Sequence, residues 1–331
     1  MRRSARLVLI IYSSYAAAGT LAYKLVGMSP FDALKHSFAA ISTGGFSTRV
    51  ANIGYFDSAA VEAVTLAFML IGHLSFVTAW SLWQGRIGLV VKNGEIRLQA
   101  ALIPISAAVV FLLTSRAIYP QLAKAVRVAI FETVSALSTT GFSSVGYGNW
   151  NDFGIFVLVV LMLIGGGTCS TAGGIKQFRI YLFWRLILWE IRRALLPRNA
   201  IFECPLWEGN RRIYVDDAVD DARVRQVAAF IFLYMAIFAA GVMLLCAYGY
   251  SLRDSLFEFA SALGTVGLSM GVTSAKMPDA PLWAETLAMF LGRLEFMVVI
   301  VSLLKLGQDG CQNFAAKQKM TSKYTQRDQI N

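Results

Sequence analysis

The sequence predicts an all-α polytopic membrane protein, and its composition and its apolar runs carry that prediction. Of 331 residues, 56% are apolar and only 15% are charged, with a mean hydropathy of +0.58. Soluble domains carry about 25% charged residues, so this balance excludes an ordinary cytosolic enzyme. A helix needs about 20 mostly apolar residues to cross the hydrocarbon core of a bilayer. Six stretches meet that need, and we predict spans at 7–27, 58–83, 98–118, 153–188, 226–250 and 281–306.

The six predicted spans form three pairs, and a shorter, half-polar stretch separates the members of each pair. These stretches, 31–57, 119–152 and 251–280, each contain a short amphipathic run. Such a run is too short and too polar to span, so we expect a short helix that enters and leaves by one membrane face. The chain is therefore predicted to contain three membrane–short helix–membrane units at 1–95, 96–198 and 226–306, with a cytoplasmic linker at 199–225 and a cytoplasmic tail at 307–331.

The distribution of basic residues predicts the orientation of these units. The chain carries 30 Lys and Arg against 20 Asp and Glu, a formal net charge of +10. The cations gather before the first span, at 86–97, along 176–225 and in the tail. Because cytoplasmic loops are rich in Lys and Arg, we expect both termini in the cytoplasm and the three short helices on the opposite face. Topology thus explains the basic excess, and we expect no nucleic-acid partner.

One sequence motif recurs at the end of all three short helices. The three copies read AISTGGFS (40–47), ALSTTGFS (136–143) and ALGTVGLS (262–269). A cation that sheds its water needs several oxygens, which backbone carbonyls supply where glycine frees the backbone and which a threonine hydroxyl can supplement. The alternative is that these glycines only let helices pack closely, but it does not explain why they occur at equivalent positions of three repeats, outside the spans. The predicted ion-binding residues are Ser42, Thr43, Gly44 and Gly45; Ser138, Thr139, Thr140 and Gly141; and Gly264, Thr265, Val266 and Gly267.

Two further features lie within the predicted spans. Small residues interrupt the fourth span at 165–174, and glycine costs about 1 kcal/mol relative to alanine inside a helix. A flexible plug beneath the three loops is one use for this run, and a plain helix kink or packing site is the alternative. Arg293 lies near the middle of the last span, where a buried charge usually marks function. Its alternative is an intramembrane ion pair, for example with Glu295.

The stretches ISTGGFSTRVANIGYFDS, STTGFSSVGYGNW, IGGGTCSTAGGIKQFRI and LGRLEF resemble the Trk/Ktr/HKT superfamily of potassium transporters, and within it the bacterial TrkH/TrkG type of membrane subunit. The resemblance implies membrane–pore-helix–membrane repeats, like potassium-channel subunits, around a pseudo-fourfold pore. It implies potassium uptake across the bacterial inner membrane, with K⁺ as the transported ion held at Thr43, Thr139 and Thr265. It also implies a gate, which would comprise Gly165, Gly166, Gly167, Thr168, Ser170, Gly173, Gly174, Lys176 and Arg293.

The resemblance is incomplete, because the chain shows three repeats where the family has four, and the first is the one without a counterpart. We therefore expect either a truncated chain or a first quarter supplied by another chain. The family also implies a homodimer and a cytoplasmic nucleotide-binding regulatory subunit of the TrkA or KtrA kind. NAD or ATP would bind that subunit, since no dinucleotide-binding glycine motif follows a strand in this chain.

Several alternatives remain open at this point. The chain could be a non-conducting remnant or assembly partner, or a relative permeable to both sodium and potassium, and channel and proton-coupled symport are not distinguished. A membrane enzyme is disfavoured, because no HExxH or nucleophile-elbow motif is present and His73 stands alone in its span. The acidic residues Glu62, Glu132, Glu258 and Glu285 are expected to be solvated or ion-paired rather than coordinating.

Overall fold

The structure is a computed structural model, which describes residues 2–195, 204–208, 211–215, 217–274, 276–294, 296–302, 304–306 and 308. Residues 199–203, 209, 210 and 216 of the predicted linker 199–225 and nearly all of the predicted tail 307–331 lie outside these residues. Within the described part the regular secondary structure is helical apart from one short hairpin. The predicted all-α membrane fold is thus confirmed.

The first unit consists of four helices, with a one-turn 3-10 helix at Asn52–Phe56. They are α1 (Arg2–Leu25), α2 (Pro30–Ile41), α3 (Ala59–His73) and α4 (Phe76–Trp83). The short helix α2 starts where the Ser29 hydroxyl accepts a hydrogen bond from the Asp32 amide at 3.1 Å, with Pro30 in the first turn. Both features favour a helix start, because they satisfy or remove amides that have no partner within the helix.

The second unit begins with a continuous helical stretch that includes a π-helical turn. A short connecting helix, α5 (Ile87–Lys92), leads into α6 (Gly94–Val110), which continues through a π-helical turn (Phe111–Ser115) into α7 (Arg116–Ile118). The short helix α8 (Leu122–Leu137) follows, then α9 (Asp152–Ile164) and α10 (Gln177–Leu195). Residues 165–176, between α9 and α10, are not helical, as the run of small residues predicts.

The third unit follows a two-stranded antiparallel hairpin within the predicted linker. The strands are β1 (Cys204–Glu208) and β2 (Arg211–Val215), in a register that pairs Cys204 with Val215. The helices are α11 (Asp217–Ala247), the short helix α12 (Leu252–Leu263) and α13 (Asp279–Leu294), followed by a helical segment at Phe296–Leu306.

Two of the six predicted spans are bent rather than straight. Among the described residues, three helices are long and apolar enough to cross a membrane, at Ala5–Leu25, Gly94–Ile118 and Val224–Ala247, and up to five if each bent pair counts as one span. The span predicted at 58–83 bends by 113° between α3 and α4, and the span predicted at 281–306 bends by 95° after α13. At the first bend, Leu74 is extended and the Ser75 hydroxyl caps a new helix, so the helix ends although the sequence stays apolar.

The second unit lies between the other two. Its Phe131, Val134 and Phe142 are buried in the same hydrophobic cluster as Met69 and Phe68 of the first unit. Its helix α9 packs against α12 of the third unit, in a second cluster that contains Leu158, Leu161 and Phe257. The ends of the three short helices are therefore brought together at the centre of the molecule.

Candidate ion pathway

The loops that follow the three short helices share an unusual backbone conformation. The central threonines Thr43, Thr139 and Thr265 all have φ = +52°, and a glycine with positive φ follows two residues later in each loop. A left-handed conformation is an outlier for a β-branched residue, and such outliers persist only where the surroundings enforce them. The same outlier at three equivalent threonines shows that the sequence repeat is a repeat of conformation as well.

The three loops lie side by side in chain order, and glycine permits their contact. A Cβ atom on Gly45 would lie 2.2 Å from the Thr140 carbonyl oxygen of the second loop. A Cβ atom on Gly141 would lie 1.8 Å from the Val266 carbonyl oxygen of the third loop. Any larger residue would push the loops apart, so these two glycines are required by close backbone approach as well as by φ.

The middle loop of the row is buried between its neighbours, and the first and third loops each have an exposed side, which we call the open side. Ser138, Thr139, Thr140 and Gly141 of the middle loop are all buried, whereas Ser42 of the first loop and Gly267 of the third are exposed. A Cβ atom on Gly267 would meet nothing within 4 Å. A cavity of about 560 Å³ lies between the first and third loops, and its lining includes Thr43, Gly45, Thr265, Gly267 and Arg293.

The glycine-rich segment 165–176 closes on itself and touches the loops near that closure. The Gly166 amide donates to the Gly173 carbonyl at 3.2 Å, which closes the segment at its base. At the same place, the Gly173 amide donates to the Thr139 hydroxyl at 2.9 Å. A Cβ atom on Gly173 would lie 2.2 Å from both the Gly264 carbonyl oxygen and the Thr265 hydroxyl. The segment therefore lies directly against the central threonines of two loops.

The other predicted gate residues hold this segment in place. The Thr168 amide donates to Glu95 Oε1 at 2.8 Å, the Ser170 hydroxyl to the Gly167 carbonyl at 2.6 Å, and Lys176 Nζ to the Ala172 carbonyl at 2.5 Å. Gly165 and Gly174 have positive φ and face each other across the base of the segment. The Thr168 contact ties the segment to Glu95 on α6, and the others keep the segment folded back on itself.

Arg293 reaches this segment from α13. Its guanidinium donates to the carbonyl oxygen of Thr171, two residues before Gly173 in the segment. The Thr171 hydroxyl in turn donates to the Ile41 carbonyl at 3.2 Å, at the end of the first short helix. Arg293 therefore ties α13 to the glycine-rich segment. The alternative partner Glu295 lies outside the described residues.

One position on each short helix braces the chain as it leaves the loop. This position, seven residues before the central threonine, is occupied by His36, Glu132 and Glu258. His36 Nε2 is 2.9 Å from the Ser47 hydroxyl. Glu132 accepts from the amide and the hydroxyl of Ser144, both at 2.8 Å, and from the Tyr147 hydroxyl. Each of these side chains therefore holds the chain that follows its loop against the short helix that precedes the loop.

The third unit repeats the second in this respect. Glu258 accepts from the Ser269 hydroxyl at 2.7 Å, the Met270 amide at 2.8 Å and the Thr273 hydroxyl at 2.9 Å. In the first unit an aspartate adds to the brace: Asp32 accepts from the Thr48 hydroxyl at 2.6 Å and pairs with Arg49 at 3.1 Å. The hydrogen bond from Thr48, with the Arg49 guanidinium, keeps the pKa of Asp32 below its ordinary value.

Comparison with known proteins identifies the family. A protein-family model described as "TrkH: Cation transport protein" matches residues 1–313. The chain belongs to the TrkH family of cation transport proteins. The Trk system potassium uptake protein TrkH of Halomonas elongata is 33% identical over 306 residues, and its Escherichia coli K12 counterpart is 30% identical over 306 residues. Each match covers 90% of this chain.

The crystal structure of the potassium transporter TrkH from Vibrio parahaemolyticus has the same fold. It matches with a TM-score of 0.79 at 30% identity, over 91% of this chain and 64% of that chain. The chain spans 61% of the length of the two curated TrkH relatives. The TrkH fold seen in this chain is therefore the fold of a part of those proteins.

Within this TrkH-family fold, the structure gathers all the residues that the repeated motif singles out. It corrects the expectation for three acidic residues: Glu132, Glu258 and Glu285 are buried and hydrogen-bonded to the chain that follows each short helix rather than solvated or ion-paired. Glu62 is ion-paired with Arg127, as expected. The sequence does contain a signal for the braces, because aligning the three central threonines places His36, Glu132 and Glu258 in one column.

Proposed function

We propose that this chain is the ion-conducting part of a Trk-type potassium uptake system. The observation that carries the proposal is the repeated loop. Its three central threonines have φ = +52°, and glycines let neighbouring loops make close backbone contact. The names of the relatives from Halomonas elongata and Escherichia coli, which are potassium uptake proteins, support the choice of ion. No covalent chemistry is proposed for the chain.

In this proposal the three loops replace the hydration shell of K⁺. Backbone carbonyls and the hydroxyls of Thr43, Thr139 and Thr265 supply the oxygens that a dehydrated potassium ion needs. Each short helix ends at its loop, so the partial negative charge of its C-terminus favours a cation there. The braces at His36, Glu132 and Glu258 hold the carbonyls in place when no ion is bound.

The glycine-rich segment serves as the gate. Gly173 lies against Thr139 and Thr265, so an ion leaving the loops on this side meets the segment first. Conduction requires the segment to withdraw, and its small residues make that movement inexpensive. Arg293, held on Thr171, adds a positive charge beside the same path and opposes the passage of a cation while the segment is in place.

The proposal also specifies the setting of the chain. The membrane is the bacterial inner membrane, with both termini cytoplasmic and the three loops opening to the outside. The working assembly is a homodimer of the ion-conducting protein with a cytoplasmic regulatory subunit, of the TrkA or KtrA kind, that binds NAD or ATP. A fourth unit completes the ring, because the three loops leave a cavity of about 560 Å³ on one side.

Selective uptake by cells tests the assignment of the three loops as the ion-selecting filter. The assembled system is expressed in a potassium-uptake-deficient bacterium, and rubidium and sodium uptake are compared for Gly141→Ser and Gly267→Ser. A side chain at Gly141 collides with the Val266 carbonyl, so we expect the preference for rubidium over sodium to fall about tenfold, as for loss of about 1.4 kcal/mol of discrimination. Gly146→Ser is the matched control, because a Cβ atom there meets nothing within 4 Å. Unchanged preference in both filter variants contradicts the assignment.

The open side of the ring favours one second candidate, a non-conducting assembly partner. Expression of this chain by itself in the same deficient strain separates the two candidates. If the chain takes up rubidium and Gly141→Ser reduces that uptake, the chain is a conducting subunit. If the chain inserts into the membrane but gives no uptake when any other Trk component is co-expressed, it is an assembly partner.

A further inference from the structure

Two carboxyl groups of the third unit meet at one threonine hydroxyl. Glu258 of α12 and Glu285 of α13 each place their Oε2 atom within hydrogen-bond distance of the Thr273 hydroxyl oxygen, at 2.9 Å and 3.0 Å. Thr273 lies in the connection between the two helices and is exposed. All three residues line the cavity of about 560 Å³ between the first and third loops. The cluster therefore lies beside the candidate ion pathway and is open to solvent on one side.

The hydroxyl cannot serve both carboxyl groups if both are ionised. A threonine hydroxyl has one proton to donate, whereas an ionised carboxylate only accepts. When Thr273 donates to one carboxylate, the second carboxylate oxygen faces a lone pair of the hydroxyl and a like charge, and both contacts are repulsive. One additional proton removes the conflict, because the second carboxyl group then donates to the threonine oxygen. The geometry therefore requires a proton on one of the two acids.

The other partners of the two acids decide which one carries the proton. Glu258 Oε1 accepts three further hydrogen bonds, which come from the Ser269 hydroxyl at 2.7 Å, the Met270 amide at 2.8 Å and the Val272 amide at 3.2 Å. Three donors stabilise the ionised form of Glu258. Glu285 is only 2% exposed, and its Oε1 atom has no hydrogen-bond partner in the part of the chain that the structure describes. An ionised Glu285 would be a buried charge with a free oxygen, whereas a neutral acid leaves only one carbonyl oxygen unsatisfied.

The charged groups around Glu285 do not neutralise it among the residues that the structure describes. The charged side chains that line the cavity are Glu258, Glu285 and Arg293. Arg293 lies eight residues further along α13, where its guanidinium is held on the glycine-rich segment. The helix α11, which also packs against α13, has no Asp, Glu, Lys, Arg or His over residues 226–247. The charged groups at the start of α13 and just before it are exposed, namely Asp279 and Lys276.

We propose that Glu285 is a proton-binding site at the outer mouth of the ion pathway, where its protonated carboxyl group donates to the Thr273 hydroxyl and that hydroxyl donates to Glu258. The position of the site at the outer mouth rests on the proposed function. The exposed Thr273 and the cavity give the proton access from the outer solution. Because Glu258 braces the third loop, the proton on Glu285 completes the hydrogen bonds that hold that loop.

Release of this proton in an alkaline outer solution changes the pathway in two ways. An ionised Glu285 adds a negative charge to the lining of the cavity, which raises the local concentration of cations. It also competes with Glu258 for the single proton of Thr273, which weakens the brace of the third loop. The site therefore links the pH of the outer solution to the affinity of the pathway for its cation.

Infrared spectroscopy of the purified, assembled transporter detects the proton directly, because a protonated carboxyl group has a C=O stretching band that an ionised carboxylate lacks. At neutral pH we expect such a band, which is lost in Glu285→Gln and kept in Asp279→Asn, the matched control at an exposed acid of the same helix. Thr273→Val should keep the band and shift its frequency, because the acid loses its hydrogen-bond acceptor. The proposal is overturned if no band depends on Glu285, as when an alkali cation or a basic side chain of the assembly neutralises it instead, or if Thr273→Val leaves the band unshifted.

Rubidium uptake by cells at different outer pH values tests the consequence for transport. In the unsubstituted system the KM for rubidium should fall about twofold as the outer pH rises through the range in which the infrared band disappears, the effect of one added charge in a water-filled mouth. Glu285→Gln should lose this dependence, and Asp279→Asn should keep it. Equal pH dependence of KM in the unsubstituted and Glu285→Gln proteins overturns the link between the proton and uptake. The infrared band does not depend on transport, so a failure of the three loops as the filter leaves that result standing.

Discussion

The amide of Gly173 donates a hydrogen bond to the Thr139 hydroxyl at 2.9 Å, which joins the glycine-rich segment to the central threonine of the middle loop. The contact matters because Thr139 is fully buried and has the left-handed backbone shared by Thr43 and Thr265. The segment therefore lies against the element that we propose to bind the ion, and the structure corresponds to the closed state of the proposed gate.

Replacing Gly173 should weaken that closed state. A Cβ atom there would lie 2.2 Å from the Gly264 carbonyl oxygen and the Thr265 hydroxyl, so Gly173→Ala forces the segment away from the loops. A clash of about 1.4 kcal/mol shifts the balance between closed and open tenfold. We expect rubidium uptake without activating signals to rise about tenfold. Gly148→Ala, where a Cβ atom meets nothing within 4 Å, is the control. Lower uptake in Gly173→Ala with unchanged protein level argues against a gate.

Arg293 should act on the same equilibrium through Thr171. Arg293→Gln removes a hydrogen bond from a charged donor, which is worth about 1.5–3 kcal/mol, and we expect higher basal rubidium uptake. Arg293→Lys keeps the charge beside the path without the planar fork, so it separates repulsion of the ion from tethering of the segment. Arg116→Gln, at an exposed arginine on α7, is the matched control. If Arg293→Gln and the control behave alike, Arg293 has no part in gating.

The buried braces should control both stability and selectivity. Glu258→Gln replaces an acceptor of four hydrogen bonds by a group that has one acceptor oxygen and a donor, so some partners lose their bonds. We expect a loss of about 1–3 kcal/mol in the free energy of unfolding and a weaker preference for rubidium over sodium. Thermal unfolding of the purified protein and dual-isotope uptake measure the two effects. Glu190→Gln, at an exposed position, should change neither; a Glu258→Gln protein with full selectivity refutes the brace.

The Arg127–Glu62 pair should show strong coupling between its partners. The Glu62 carboxylate is 7% exposed and the Arg127 side chain is 33% exposed. Removal of the arginine therefore leaves a nearly buried negative charge without its ion-pair partner. We expect Arg127→Met to lower the free energy of unfolding by about 1–3 kcal/mol after allowance for solvent screening. Adding Glu62→Leu should recover most of that loss. A double variant less stable than Arg127→Met contradicts the view that the stranded carboxylate causes the loss.

Much of this architecture is readable from the sequence, because three copies of one motif fall between pairs of apolar runs. The motif placed Thr43, Thr139 and Thr265 in one set, and the structure gives them one backbone conformation. The run of small residues before Lys176 predicted a break in its span, and the break is present. Both features depend on residue types whose backbone preferences are local and strong.

What the sequence did not reveal depends on tertiary contacts. The bend after His73 lies within an apolar run, where Leu74 and Ser75 give no strong breaking signal. Glu132 and Glu258 look like surface acids when taken singly, because their partners lie 11 to 15 residues further along a loop of unpredicted course. The unit boundaries at 95, 198 and 225 remain predictions.

Anomalous scattering from rubidium bound to the assembled transporter tests the central claim most directly. The proposal predicts a rubidium peak among the loop oxygens near Thr43, Thr139 and Thr265, with the peak lost or displaced in Gly141→Ser and retained in Gly146→Ser. A rubidium peak elsewhere along the path, with none at the three loops in the unsubstituted protein, would show that the repeated motif is not the site that selects the ion.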